Sequence, residues 1–189
     1  MASESAPQAN PAALGLIAFG LTTVLLSLIN AGVLPAGGES VVIPLALAFG
    51  GTAQILAGIF DVKLGNTFGM TAFIAYGAFW WWFALLLLLG HSGVLDLKDA
   101  GSTIGMALVL WGVFTLYMWI GTFKLRRILF LIFLTLWITF FLLGFGMLLA
   151  MPELHTAGGW VGIVCGTLAA YGSFALIVNT THGKTVLPI

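Results

Sequence analysis

Six long apolar runs separated by short polar breaks set the pattern of this chain. They fall at residues 12–34, 41–60, 68–89, 102–123, 128–149 and 158–178. Each holds about the 20 residues that a helix needs to cross a hydrocarbon core of about 30 Å. The pattern predicts an all-α integral membrane protein of six transmembrane helices. Residues 1–11 then form an N-terminal tail, 12–178 the transmembrane domain and 179–189 a C-terminal tail. The breaks carry helix punctuation. Asn10 and Pro11 supply an N-cap and a proline at the first helical position. Asp61 and Lys63 are expected to end the second helix at water, and Gly65, Asn66 and Thr67 to supply a turn and a cap for a helix starting near Phe68.

Polar and small positions inside the runs sort the helix faces. Gly50, Gln54 and Gly58 recur every four residues, so they share one face, where Gln54 needs a partner away from lipid. Phe19, Thr22, Thr23 and Leu26 give the first helix a mixed aromatic and hydroxyl face. Thr71 and Tyr76 do the same for the third, and Tyr76, about two turns in, is too deep for a headgroup anchor. The fifth run holds Thr135, Leu136 and Thr139. Gly158, Gly162 and Gly166 suit close helix contact within the bundle or between subunits, and their helix is the candidate subunit contact. Ordinary packing accounts for much of this as well, because buried threonines bond back to their own helix and Asn66 reads by itself as a cap. Short echoes, F-G-L-T at 19–22 with F-G-M-T at 68–71 and A-Y-G-A-F at 75–79 with A-Y-G-S-F at 170–174, hint at repeated hairpins.

Composition narrows the function. Of 189 residues, 61% are hydrophobic and 6% charged, and the mean hydropathy is +1.15. No stretch remains for a soluble catalytic module. Placing the N-terminus in the cytoplasm puts Lys63, Lys124, Arg126, Arg127 and Lys184 inside and leaves Lys98 outside, as the positive-inside rule favours. Both termini are then cytoplasmic, in a multi-pass plasma-membrane protein. Asn10, Asn66 and the Arg126–Arg127 pair gather at that face, where three helix N-termini attract small anions. The loop at 90–101 is expected to form an outer mouth or cap. Cys165, the one cysteine, excludes a disulfide framework and a thiolate metal site.

What the runs lack is equally informative. None has Asp, Glu, Lys, Arg or His at its centre, so pumping through a buried carboxylate is not expected. There is no phosphate-cradling loop, no metal-ligand pair on a helix and no serine, histidine and acid set. The expectation is a non-enzyme with no cofactor, no metal and no nucleic-acid partner. His91, His155 and His182 are assigned to solvated loops, with His91 and His155 the groups placed to sense external pH.

Several motifs together resemble one family. N-P-A-A-L-G-L at 10–16, G-G-x-x-Q-x-x-x-G at 50–58, G-N-T-F-G at 65–69, T-A-F-x-x-Y-G-x-F-W at 71–80, W-G-V-F-T-L at 111–116 and T-V-L-P-I at 185–189 look like the acetate uptake transporters, the succinate-acetate permeases. Ala13 stands where that family usually has a second proline, and Asp61 where a glutamate is common. The resemblance implies a six-helix protomer similar to the proton-gated urea channels, assembled as a homo-hexamer with a separate path through each protomer. It implies acetate as principal substrate, with succinate carried by some members. Its constriction of phenylalanine, tyrosine and leucine maps to Phe19, Tyr76 and Leu136. Asn10, Thr22, Gln54, Asn66, Thr67 and Thr71 are the candidates for polar contacts along the path.

Two transport readings and one other remain from the residues. The first is a permease or channel for acetate and related small carboxylates, with protons moving alongside or as acetic acid. The second is a gated channel for a neutral solute such as urea or a short amide. The third is a receptor-like or scaffold membrane protein. Composition by itself reaches only a small polytopic membrane protein, and the substrate comes from the resemblance.

Overall fold

The computed structural model describes residues 9–189, and every regular element in that range is helical. Helix α1 spans Ala12–Asn30. The second crossing is composite: α2 (Glu39–Leu45), a π-helical stretch at Ala46–Ala53 and α3 (Gln54–Lys63). Then follow α4 (Thr67–His91), α5 (Gly101–Gly121), α6 (Arg127–Leu148) and α7 (Pro152–His182). Six units are long and apolar enough to cross a membrane, as expected of a multi-pass protein. The part of the predicted N-terminal tail at 1–8 lies outside the described residues.

The helix ends follow local chemistry. Asn10 Oδ1 accepts from the Ala12 amide at 3.0 Å, and Pro11 sets φ at −66° just ahead of α1. Asn66 Oδ1 accepts from the Gly69 amide at 3.0 Å and caps α4. Pro152 opens α7, and Gly183, at φ 63°, ends it in the left-handed region that glycine enters without strain. The π-helical stretch, which the periodicity did not reveal, begins two residues after Pro44. Pro44 lacks the amide that would continue the α ladder, and its ring crowds the preceding turn. Wider winding accommodates both effects, and Thr52 Oγ1 closes onto Leu47 O, five residues back, at 2.8 Å.

Around the bundle the order is α4, the second crossing, α1, α7, α6, α5. Glycine contacts draw three neighbouring pairs together, reciprocally in two of them. A Cβ on Gly20 would stand 2.7 Å from Gly166 O, and one on Gly166 would stand 2.7 Å from Gly20 O, which joins α1 to α7. Gly105 and Gly144 do the same for α5 and α6, at 2.9 and 2.8 Å. A Cβ on Gly77 of α4 would lie 2.9 Å from Gly51 O of the second crossing. Between α4 and α5 the backbones stand apart and aromatic side chains fill the gap: Phe79 meets Trp111 at 5.2 Å between ring centroids, and Tyr76 meets Trp111 at 6.0 Å.

Three expectations change. Of the two uses expected for Gly158, Gly162 and Gly166, the contacts are those within the bundle, against Leu143, Ser27 and Gly20 respectively, which leaves only the other faces of α7 exposed. Asp61 is not at water; it is 1% exposed, because α4 folds back over the end of α3. The histidines are not in loops. His91 and His182 end α4 and α7, and His155 lies in the first turn of α7, half-buried against Gly146.

Candidate functional site

Two cavities lie end to end inside the bundle. The first, about 500 Å³, opens where α1, α4 and α6 begin. Asn10, Asn66, Lys124 and Arg126 stand among its lining residues, and Leu16, Phe73, Ile132 and Phe133 make its apolar walls. The second, about 210 Å³, is lined by Thr23, Ser27, Asn30, Glu39, Thr139 and His155 with Phe79, Trp80, Phe83 and Phe140. Phe19 and Leu136 border both cavities. Tyr76 borders the first, its ring 6.0 Å from that of Phe19. The three side chains are 6%, 4% and 3% exposed for Phe19, Leu136 and Tyr76, so the meeting point is closed by apolar groups.

The orientation of Tyr76 follows from α5. Its hydroxyl donates to Thr115 Oγ1 at 2.9 Å, and Thr115 donates to Trp111 O at 2.7 Å. Phe114, Phe133 and Phe140 surround the ring at 5.6, 6.0 and 6.5 Å. The hydroxyl proton is thereby committed away from the cavity, and the ring face is what a solute would meet. Thr115 was not singled out as a site residue from the sequence; its spacing of four from Trp111 and the need of a buried tyrosine for a partner are the signals that point to it.

The polar mouth of the first cavity is built from helix starts. Asn66 uses Oδ1 as the α4 cap, and its Nδ2 donates to Asp61 Oδ1 at 3.1 Å. Asp61 therefore holds the amide of Asn66 in one orientation from behind the cavity wall. Its other oxygen, Oδ2, has no hydrogen-bond partner. It sits over the N-terminus of α4, where the helix dipole favours a carboxylate. One Asn66 N–H and the Asn10 amide nitrogen remain for a solute, beside Lys124 and Arg126. Among the described residues, Lys124 and Arg126 are the charged side chains that line this cavity.

The remaining candidates are placed elsewhere. Thr22 is fully buried and donates to Ala18 O at 2.8 Å, and Gln54 is 1% exposed with Oε1 unpartnered. Thr71 is half-buried and Thr67 is exposed on the α4 start. None of these four lines either cavity. Thr23, one residue from Thr22, lines the second, and its buried Oγ1 has no protein partner. Arg126 lines the first cavity, whereas Arg127 does not.

Comparison with known proteins supplies the context for this geometry. A model described as the GPR1/FUN34/yaaH family matches residues 1–189. The succinate-acetate/proton symporter SatP of Escherichia coli (strain K12) is 42% identical over 181 residues, covering 96% of this chain and 95% of that one. Acetate permease A of Emericella nidulans is 36% identical over 200 residues, covering 98% of this chain and 67% of the relative. A solved structure, that of the bacterial acetate channel SatP, superposes with a TM-score of 0.92 at 41% identity, over 97% of this chain and 99% of the other.

Proposed function

The chain belongs to the GPR1/FUN34/yaaH family, and from that premise we propose that it carries acetate and related small carboxylates across a membrane. What supports the reading is a pair of cavities that Phe19 and Leu136 both border, with Tyr76 on the side of the first. The basic mouth of the first cavity raises the local concentration of a small anion. Asn10 and Asn66 offer donors as the carboxylate sheds water, and the aromatic and aliphatic contact admits only a small solute. Thr23 and Ser27 receive it on the far side, and Gln54, Thr22, Thr67 and Thr71 support the path from behind its walls.

The two residues shared by the cavities are apolar, so a bare carboxylate meets its largest desolvation cost there. Passage as acetic acid, or of the anion with a proton alongside, removes most of that cost, which favours proton-linked transport. Succinate, with two carboxylates, meets the cost twice. The orientation that suits the charges puts both termini and the first cavity in the cytoplasm. Exposed apolar side chains such as Leu110, Val113 and Ile120 on α5, and Trp160, Phe174 and Ile177 on α7, leave faces for lipid or for neighbouring protomers. We place this protomer in a hexamer with one path per subunit, on a plan like that of the urea channels.

Labelled acetate flux into liposomes at pH 7 to 8, against protein-free vesicles, tests the function. Flux above that floor is expected, and Phe19→Ala and Tyr76→Ala are expected to raise it and to relax size selection. If both variants keep the parent's rate and selectivity, the constriction lies elsewhere. The second reading, a channel for a small neutral solute, is favoured by the apolar meeting point, and acetamide passing as fast as acetate at neutral pH would establish it.

A further inference from the structure

Residues 185–189, T-V-L-P-I, form a motif to which the path described above gives no role. Gly183 turns the chain at the end of α7, and the segment runs back along the helix it has just left. Four hydrogen bonds fasten it. Asn179 Oδ1 accepts from the Val186 and Leu187 amides at 2.7 and 2.9 Å, Asn179 Nδ2 donates to Leu187 O at 2.8 Å, and Tyr171 Oη donates to Pro188 O at 2.8 Å. The amide of Asn179 thus reads the backbone of one residue as a paired strand would, and Pro188 stiffens the next step. Beyond this clamp Ile189 leaves α7, packs on the bundle core and joins Leu16, Ile128 and Leu176 in the wall of the first cavity.

We propose that residues 186–189 are a strap that forms one side of the basic mouth, that Ile189 is the side chain that narrows it, and that Asn179 is the residue that positions the strap. The inference rests on reading the first cavity as one end of the acetate path. Its physical basis is the asymmetry of the fastening. A tail that merely trailed from α7 would leave its backbone to water, whereas this one has its amides and carbonyls paired by side chains at both ends of the segment. The isoleucine side chain held at the rim narrows the way in beside Lys124 and Arg126 for an entering carboxylate.

The test reads access to the cavity independently of transport. A reporter cysteine replaces Ala72, which lines the cavity deeper than its rim, in a background where the buried Cys165 is changed to Ala. The purified protein is treated with an anionic methanethiosulfonate too bulky for the closed rim. Asn179→Ala, which loses three of the four bonds, is expected to raise the labelling rate by about tenfold or more. Ile189→Ala is expected to do the same with the clamp intact, and Ile189→Trp to slow it. Asn179→Asp keeps both accepting bonds but sets a carboxylate oxygen against Leu187 O, and is expected to label at a rate between those of the parent and Asn179→Ala, a grading that a general loss of helix stability would not produce. Labelling equal to the parent in both Asn179→Ala and Ile189→Ala overturns the strap, and if Asn179→Ala does not fold, the Ile189 pair decides. Tail-dependent labelling in a parent without acetate flux would overturn the substrate reading and leave the strap standing; flux with tail-insensitive labelling would do the reverse.

Discussion

The hydroxyl of Tyr76 is tied to Thr115, so the polar end of this tyrosine serves packing while its ring borders the first cavity. Thr115→Val would leave that donor buried without a partner, at a cost of about 1–3 kcal/mol. A lower melting temperature in detergent is the expected result, and adding Tyr76→Phe should recover most of the loss by removing the orphaned group. Tyr76→Phe by itself keeps the ring and should keep the parent's acetate flux; a large drop would mean that the hydroxyl meets the solute. Asn66 shows the same division of labour. Its place in the sequence foretold the cap, but the bond from Asp61 that fixes its amide needed the fold, because the two residues meet only when α4 turns back on α3.

Among the elements, glycine pairs decide how closely helices approach. The Gly20–Gly166 contact sets backbone against backbone, so an added methyl has no flexible side chain to displace. Gly166→Ala should destabilise the protein by about 1–3 kcal/mol, as overpacking does. Gly101→Ala, at the start of α5 with no atom within 4 Å of the new methyl, should be neutral or better. Thermal unfolding of both variants checks this, and equal melting temperatures would show that α1 and α7 can separate without cost. The glycine spacing in the sixth run was visible in the sequence, yet its partner was not: small residues license close contact without saying with what. The π-helical winding after Pro44 was likewise invisible, since a proline announces a disturbed ladder and leaves its repair to the neighbours.

For the molecule as a whole, the two cavities differ in the ionisable side chains that line them. Lys124 and Arg126 line the first cavity, Glu39 and His155 the second, and the apolar Phe19 and Leu136 border both. If the basic mouth gathers acetate, Lys124→Gln with Arg126→Gln should lower flux several-fold at low ionic strength and subsaturating acetate. The difference should shrink near 1 M salt, where the screening length is about 3 Å. Flux measured across a salt series in liposomes checks this, and a defect that salt leaves unchanged would assign these residues to topology instead.

Six spans, their approximate ends, the caps at Asn10 and Asn66 and the gathering of basic residues were all legible in the sequence, because each depends on length, composition or a near neighbour in the chain. Helix face and depth drew attention to Phe19 and Tyr76, whereas their grouping with Leu136 came from the family's motif pattern. In a bilayer both the lipid-facing and the inward sides of a helix are apolar, so the moment that sorts the faces of a soluble helix is nearly absent. For that reason Thr22 and Thr23, or Gln54 and Asn66, look equally suited to line a path, and only tertiary packing sends one of each pair to a cavity and the other behind its wall. The return of residues 186–189 along α7 was decided the same way, by backbone groups that needed partners and an asparagine seven residues back that supplied them.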